Sequence, residues 1–361
     1  MKIAFISAAK SIHIIRWANA MSERGHEVFV ISCANDIDNL DAYNSAVKVI
    51  KLKYSAPFGY YLNAGRLKRI LKKEKFDIVN VHYASGYGTL GRRAKQQNAL
   101  LNIWGSDVYD FPYQSSFKMK LIKKNLRYYK YTASTSNCMA KQAQKLVDRE
   151  YFITPFGVDT NLFKPMPEFK PKDKIIFGTV KTLSPKYGIA DSIEAFIALY
   201  NRLVAENCEE LANKLYYEIY GRGELKEQLQ SIIDGKGFSD RIKLCGYVEN
   251  SKLPEIYNRF AIACYASSSE SFGVAAVEAM ACGVPVCVTD AEGFAEVVED
   301  GVTGYISPKG NINAMAENMY RLLKKDELIS HFGSAGLARV NRLYKWSDNV
   351  ETMIKIYQDM N

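Results

Sequence analysis

The chain has 361 residues, 48% of them hydrophobic and 24% charged, which is typical of a soluble globular protein of two or three domains. No uninterrupted apolar run approaches the ~20 residues that a membrane-spanning helix needs. The seven Cys contain no Cys-x-x-Cys pair and the four His are scattered, so we expect a cytoplasmic protein with reduced thiols and no metal.

Strands and helices are predicted to alternate along the first half of the chain. The predicted strands are residues 2–7, 28–32, 47–52, 78–82, 99–104 and 131–134. The predicted helices are residues 12–24, 65–75 and 117–129. Such alternation implies a parallel sheet with crossover helices.

The same half is strongly basic. Residues 1–155 contain 25 Lys/Arg and 11 Asp/Glu, whereas the remainder contains 23 and 28, and the net charge is +9. Segments 66–75 and 117–131 combine basic with apolar or aromatic residues at helical spacing, as membrane-surface helices do. Near anionic lipid, five or six Lys/Arg at ~1 kcal/mol each suffice for reversible docking. For each segment the alternative is an ordinary amphipathic helix with a solvated basic face.

Residues 154–171 interrupt the pattern with four of the ten prolines, and a second alternating series follows. Its predicted strands are residues 175–180, 215–220, 242–244, 262–265 and 284–288. Its predicted helices are residues 189–201, 225–233, 252–259, 273–282 and 312–324. The fold class is therefore α/β, with two doubly wound, Rossmann-like domains facing a cleft, and ligands are expected outside the carboxyl ends of the strands.

Two carboxylates, Glu270 and Glu278, lie on either side of a predicted helix start at Gly273. Glu278 lies about 7–9 Å along the helix axis, so the N–H groups of the first turn fall between the two acids. This order of a hydrogen-bond acceptor, an anion site and a second hydrogen-bond acceptor matches the sugar, diphosphate and ribose of a nucleotide sugar. The alternative is that the helix dipole alone favours acids near this terminus.

Three further loops follow predicted strands of the second half and have anion-binding chemistry. Lys181 and Lys186 flank a turn after the strand at 175–180. The other two loops contain Gly221-Arg222-Gly223 and Gly246-Tyr247-Val248. Because the carboxyl ends of parallel strands meet at one edge of a sheet, these loops are expected beside Glu270.

Residues 174–323 strongly resemble the retaining glycosyltransferases of GT-B architecture, family 4. The matching motifs are Lys181-x4-Lys186-Tyr-Gly, Gly221-Arg-Gly, Gly246-Tyr-Val, Ser269-Glu-Ser-Phe-Gly273, Glu278-Ala-Met-Ala-Cys-Gly-Val-Pro285 and Glu296-Val-Val-Glu-Asp-Gly-Val-Thr-Gly304. The first half resembles the same group more loosely. The resemblance implies an acceptor-binding domain over residues 1–160, joined by a returning helix at 344–361, and a donor-binding domain over residues 161–343.

The resemblance also implies a role for each residue of the donor site. Lys181 and Lys186 would neutralise the diphosphate of the leaving group, and Glu270 would bind hydroxyls of the donor sugar. Glu278 would hold the ribose diol through charge-assisted hydrogen bonds. The remaining donor contacts are expected from Gly221, Arg222, Gly246, Tyr247, Val248, Ser271, Phe272 and Gly273.

The chain departs from the family pattern mainly in its first half. Lys181 stands where Arg is usual, and the glycine pair of the first loop is replaced by a sequence with Lys10, Ser11 and His13. These three become candidate contacts to the donor phosphate or to the acceptor. Trp104-Gly-Ser-Asp107 stands where many members have His-Gly-x-Asp. Asp107 is therefore a candidate cleft residue, but the histidine of the family motif is replaced by Trp104. His82 is a candidate cleft residue, with a structural His as the alternative.

These observations predict a retaining transferase that moves a hexosyl group from a UDP-sugar to a lipid-linked glycan, such as a polyprenyl-diphosphate saccharide of surface-polysaccharide synthesis. The basic half predicts peripheral contact with the anionic inner face of the plasma membrane. No cofactor and no nucleic-acid partner are expected. Two alternatives remain: a nucleotide-sugar epimerase or hydrolase on the same fold, and a binding protein, either a non-catalytic transferase-like subunit or a nucleic-acid binder.

Overall fold

A computed structural model describes residues 1–360, apart from the side chain of Asp326. The chain divides into two compact units. The first comprises Met1–Phe156 with the C-terminal segment from Ser347, and the second is Gly157–Trp346. None of the described helices is long and apolar enough to cross a membrane.

The first unit is built on a seven-stranded parallel sheet in the order β3-β2-β1-β4-β5-β6-β7. Its central strands are continuous apolar runs, as expected for strands buried on both faces. The strands are β1 (Lys2–Ile6), β2 (Glu27–Ser32), β3 (Lys48–Lys51), β4 (Ile78–His82), β5 (Leu100–Ile103), β6 (Tyr131–Ser134) and β7 (Phe152–Ile153). The first six correspond to the predicted strands.

Seven α-helices cover this sheet within the described part of residues 1–156. They are α1 (Ile12–Glu23), α2 (Gly59–Leu62), α3 (Ala64–Glu74), α4 (Gly86–Arg93), α5 (Ser106–Tyr109), α6 (Ser116–Tyr128) and α7 (Asn137–Gln144). Helix α4 is absent from the sequence prediction because its three glycines oppose helix formation. One of them, Gly91, serves packing, because a Cβ there would collide with the Tyr129 hydroxyl, which donates to the carbonyl of Gly88 at 2.7 Å.

The second unit contains a six-stranded parallel sheet in the order β10-β9-β8-β11-β12-β13. The strands are β8 (Ile175–Val180), β9 (Leu215–Tyr220), β10 (Ile242–Gly246), β11 (Ile262–Tyr265), β12 (Val286–Thr289) and β13 (Gly304–Ser307). Strand β13 is absent from the sequence prediction because it is short and directly follows a turn with Gly301 at a φ of 74°.

The helices of the second unit alternate with its strands. They are α8 (Ile189–Ala205), α9 (Glu209–Asn213), α10 (Lys226–Gly235), α11 (Leu253–Arg259), α12 (Val274–Ala281), α13 (Glu292–Val297), α14 (Ile312–Leu323) and α15 (Asp326–Leu343). The prediction of a helix beginning at Gly273 is nearly right, since Gly273 caps α12 with a φ of 97°.

The last helix, α16 (Trp346–Met360), contributes to the first unit from Ser347 onward. Asn80 of β4 donates a hydrogen bond to the Tyr357 hydroxyl at 2.5 Å, and Arg24 pairs with Glu351 at 2.6 Å. The predicted returning segment, 344–361, includes this helix, and its last residue, Asn361, lies outside the described residues.

Both sheets have the same topological switch. In the first unit β1 lies between β2 and β4, and in the second β8 lies between β9 and β11. The connections after β1 and β4, and those after β8 and β11, run toward opposite edges of their sheets. Ligands of such sheets bind outside the carboxyl ends of the strands at this point. The two-domain, Rossmann-like α/β architecture predicted from the sequence is confirmed.

Candidate functional site

The loops after β8, β9 and β10 lie side by side at the carboxyl edge of the second sheet. The backbone N–H of Lys181 donates to the carbonyl of Tyr220 at 2.9 Å, and that of Gly221 donates to the carbonyl of Gly246 at 2.8 Å. A Cβ at Gly221 would overlap the carbonyl oxygen of Lys181, and the φ of Gly221 is 150°. Glycine is therefore required where the first two loops meet.

An ion pair joins the loops after β8 and β11, across the switch point of the sheet. Lys181 Nζ lies 2.7 Å from Glu270 Oε2, and the two side chains are only 13% and 11% exposed. Such a charged contact is short because the low local dielectric and the limited water favour a direct hydrogen bond. The structure therefore brings together two residues that are 89 positions apart and that the sequence assigned to the same site.

Tyr187 is a member of the site that the sequence analysis missed. Its ring centroid lies 4.7 Å from Lys181 Nζ and 5.3 Å from Lys186 Nζ, so both ammonium groups are within cation–π distance of this ring. The carbonyl of Lys186 also accepts hydrogen bonds from the backbone N–H and the hydroxyl of Ser268 at 2.9 and 3.1 Å. The signal available in the sequence was an aromatic residue directly after Lys186.

The loop that contains Glu270 is positioned by the start of α13. The N–H of Gly293 donates to the carbonyl of Glu270 at 2.8 Å. A Cβ on Gly293 would lie 2.5 Å from the backbone nitrogen of Phe272. The Phe272 side chain is buried against Tyr344, with ring centroids 5.5 Å apart, so its backbone is the part left for a ligand. Ser271 is partly exposed beside it.

Glu278, on α12, is half-buried and has the buried partner that its apolar surroundings require. The hydroxyl of Tyr257 donates to its Oε2 at 2.9 Å. Burial and the neighbouring Glu278 carboxylate raise the pKa of Tyr257 well above its ordinary value, so the phenol remains a donor. Tyr257 thus holds one carboxylate oxygen, and no spacing in the sequence indicated this contact.

The loops after β9 and β10 present a planar surface. The Arg222 guanidinium carbon lies 4.7 Å from the centroid of the Tyr247 ring, and Tyr247 is 61% exposed. A guanidinium stacked on an exposed aromatic ring can receive another flat group, such as a base. Gly246 and Val248, on either side of Tyr247, are partly exposed.

Family models match most of the chain. One described as glycosyl transferases group 1 matches residues 163–339, and one described as glycosyl transferase 4-like matches residues 2–136. The chain belongs to the GT-B glycosyltransferases of family 4. Its activity is glycosyl transfer.

Two curated enzymes and one solved structure are similar to the glycosyltransferase over nearly its whole length. A phosphatidyl-myo-inositol mannosyltransferase of Mycobacterium leprae is 23% identical and covers 96% of this chain and 91% of its own. An N-acetyl-alpha-D-glucosaminyl L-malate synthase of Bacillus anthracis is 24% identical and covers 94% of this chain and 91% of its own. The structure of Anabaena HepE in complex with UDP-glucose has a TM-score of 0.79 at 18% identity, over 99% of this chain and 100% of its own.

In the first unit of the glycosyltransferase, the candidates Lys10, Ser11 and His13 lie in or just after the loop that follows β1. Lys10 Nζ is 3.0 Å from Asp36 and 3.2 Å from the carbonyl of Asn35, so its charge is already paired. The carbonyl of Ser11 accepts the first hydrogen bond of α1, while its hydroxyl makes no capping bond. The role of this loop in acceptor binding stays a prediction.

Asp107 has a structural task in the same unit. Its buried carboxylate accepts hydrogen bonds from the backbone N–H groups of Ala84, Trp104 and Gly105 at 2.8, 3.1 and 2.9 Å. Burial nevertheless raises the pKa of Asp107 above its ordinary value. Because these donors surround a fully buried group, this geometry does not support direct acceptor contact by Asp107.

His82 and His13 belong to an aromatic cluster. The His82 ring is fully buried 5.0 Å from Trp104, and neither of its nitrogens has a hydrogen-bond partner among the described residues. The His13 ring stacks on Phe156 at 3.9 Å. Burial lowers the pKa of His82 to about 3 and that of His13 to about 4, so both imidazoles are neutral in the folded protein at pH 7.

These buried imidazoles predict a loss of stability in acid. Between pH ~6.5 and ~4 the unfolded chain binds protons that the folded chain does not, so the free energy of unfolding falls as pH falls. Each histidine contributes up to about 1.4 kcal/mol per pH unit. We expect His82→Gln to give a shallower pH dependence in urea denaturation between pH 7 and 5. An unchanged slope would contradict a neutral, buried His82.

Proposed function

We propose that this glycosyltransferase transfers a hexosyl group with retention of anomeric configuration, from a UDP-sugar to a lipid-linked glycan acceptor. The observation that carries the proposal is the Lys181–Glu270 pair at the switch point of the second sheet, with Lys186 near the same Tyr187 ring as Lys181. Two ammonium groups next to a carboxylate fit a ligand that has a diphosphate next to a hydroxylated ring.

In the proposed reaction the bond between the anomeric carbon and the β-phosphate oxygen breaks, and negative charge develops on the diphosphate. A new bond forms between the anomeric carbon and the acceptor hydroxyl oxygen, whose proton passes to the departing diphosphate. Lys181 and Lys186 would stabilise that charge, while Glu270 binds sugar hydroxyls. Fixed charges in a site with little water stabilise a transition state by several kcal/mol. Glu278, held by Tyr257, would accept hydrogen bonds from the ribose diol. No metal or cofactor is required by this scheme.

The choice of uridine and of a lipid-linked acceptor rests on different grounds. The HepE structure, which shares the fold, was solved with UDP-glucose. The Mycobacterium leprae relative is named for a phosphatidyl-inositol acceptor. The first unit is basic, in keeping with an anionic acceptor such as a polyprenyl-diphosphate saccharide of surface-polysaccharide assembly, used at the inner face of the plasma membrane.

A panel of nucleotide sugars tests the donor assignment by thermal stabilisation. A ligand at 100 times its Kd adds about 2.7 kcal/mol to the free energy of unfolding, which gives a measurable rise in Tm. We expect a UDP-sugar to raise Tm more than its GDP counterpart, and Glu278→Ala to reduce the rise. Stabilisation by none of the nucleotide sugars would contradict the proposal and favour a non-catalytic subunit.

Incubation with the stabilising donor distinguishes the reaction types. Turnover of the donor without any acceptor would favour an epimerase or a hydrolase. Retention is tested by NMR, because the anomeric coupling of the product reports whether its configuration equals that of the donor. An inverted product would overturn the retaining assignment without affecting the donor assignment.

A further inference from the structure

A basic groove lies between the end of α4 and the outer face of α6, with a volume of about 1070 Å³. We call it the α4–α6 groove. It is lined by seven basic residues, one glutamine and one tyrosine, without any acid. The lining residues are Arg92, Arg93, Lys95, Gln97, Lys120, Lys123, Lys124, Arg127 and Tyr128.

The positive charge of the α4–α6 groove is not compensated within the protein. Among the described residues, none of the seven cations forms an ion pair with a carboxylate, and Arg92 donates instead to the amide oxygen of Asn125 at 2.7 Å. Residues 78–147 contain eleven Lys/Arg and two Asp/Glu. Like charges held this close repel one another, so the groove favours an anionic partner.

An exposed apolar tip adjoins the groove. The short helix α2 is fixed to α4 by Tyr60, whose ring packs edge-on against Tyr87 with centroids 5.2 Å apart. This anchoring leaves Phe58 75% exposed and Leu62 59% exposed. Between them, the Tyr61 ring lies 5.4 Å from the guanidinium carbon of Arg93, which also lines the groove.

A third apolar group lies on the groove-lining helix itself. Phe117, in the first turn of α6, is 67% exposed. It precedes Lys120 by three residues and Lys124 by seven, so all three lie along one face of the helix. The face that presents cations to the groove therefore begins with an exposed aromatic ring.

We propose that the α4–α6 groove and the α2 tip together dock the first unit on an anionic phospholipid bilayer. Headgroup phosphates would occupy the groove, and Phe58 and Leu62 would enter the interface between headgroups and acyl chains. Lipid is favoured over nucleic acid because an exposed leucine beside an exposed phenylalanine gains by burial in a hydrocarbon boundary, which a phosphodiester backbone does not offer. The docking surface depends on the proposed function in one respect only, namely that the acceptor is linked to a lipid.

Of the two segments that the sequence indicated as membrane-surface helices, only one contributes to this surface. Helix α3 contains Arg66, Lys68, Arg69, Lys72 and Lys73, but none of them lines the groove. Segment 117–131, by contrast, contributes four of the seven cations. A double lysine substitution on α3 therefore removes the same charge from the same unit and serves as the matched control.

The test is flotation of the full-length protein with vesicles of phosphatidylcholine, with and without phosphatidylglycerol. We expect binding only to the anionic vesicles and a decrease with added salt. Lys123→Ser/Lys124→Ser should lower the partition coefficient about 30-fold, at about 1 kcal/mol per lysine. Phe58→Ser/Leu62→Ser should also weaken binding, without changing the salt dependence. Lys72→Ser/Lys73→Ser on α3 should change it less than about 3-fold.

Four results would overturn the docking surface: unchanged binding by Lys123→Ser/Lys124→Ser, equal binding to neutral vesicles, an equal loss in the α3 control, or displacement of the vesicles by DNA at matched charge and salt. The failure of this surface and the failure of the proposed function are distinguishable. If Lys123→Ser/Lys124→Ser keeps the donor-induced rise in Tm but binds vesicles as the wild type does, only the docking surface is wrong. If no nucleotide sugar stabilises the wild type, the donor assignment fails whatever the vesicles show.

Discussion

Lys181→Met is expected to lower kcat for sugar transfer by about 10²–10³-fold, as the removal of one preorganised electrostatic group does in other enzymes. The substitution also leaves the Glu270 carboxylate without its partner at 2.7 Å in a largely buried site. Removing one member of a buried ion pair lowers the free energy of unfolding by about 3–5 kcal/mol. Initial rates with a UDP-sugar and thermal unfolding measure the two effects separately.

The double variant Lys181→Met/Glu270→Gln separates catalysis from folding. It removes both charges, so we expect stability to return toward that of the wild type while transfer stays as low as in the single variant. Lys252→Met, which breaks the exposed pair with Glu255, is the control and should change neither quantity. Recovery of transfer in the double variant would show that Lys181 serves only to neutralise Glu270.

Most of the fold could be predicted because its strands are apolar runs bounded by turns. Strands β1 and β11 are apolar almost throughout and buried on both faces of their sheets, whereas β9 alternates buried with half-buried residues. Helix α4 was missed because tertiary packing outweighs local preference there. A Cβ at Gly91 would collide with the Tyr129 hydroxyl, which donates to the carbonyl of Gly88 at 2.7 Å.

The residues of the candidate donor site were predicted from the sequence, and the structure adds the contacts between them. Parallel topology sufficed to place Lys181 and Glu270 on neighbouring loops. It could not indicate Tyr257, which lies on another helix 21 residues before Glu278, because a long-range hydrogen bond leaves no local pattern. Asp107 shows the opposite case: its position after a strand suggested a ligand contact, and the structure shows its carboxylate accepting three backbone hydrogen bonds.

Gly293→Ala is expected to reduce transfer at least 10-fold, although alanine is the better helix former by up to about 1 kcal/mol. The added Cβ would lie 2.5 Å from the nitrogen of Phe272 and 2.8 Å from the carbonyl oxygen of Glu270, so the loop with Glu270 must move. A displacement of about 1 Å at a reacting centre lowers rates by up to 10²-fold. The measurement is kcat/KM with the donor that stabilises the wild type.

Gly235→Ala is the matched control, because it makes the same change at the end of α10, where a Cβ meets nothing within 4 Å. It should leave transfer unchanged and keep or raise Tm. If the Gly293 variant acts by displacing Glu270, then adding Glu270→Gln to it should lower transfer much less than the same substitution does in the wild type, because the two changes share one cause. Full additivity would instead mean that Gly293 matters for the folding of α13 and that Glu270 keeps its position without it.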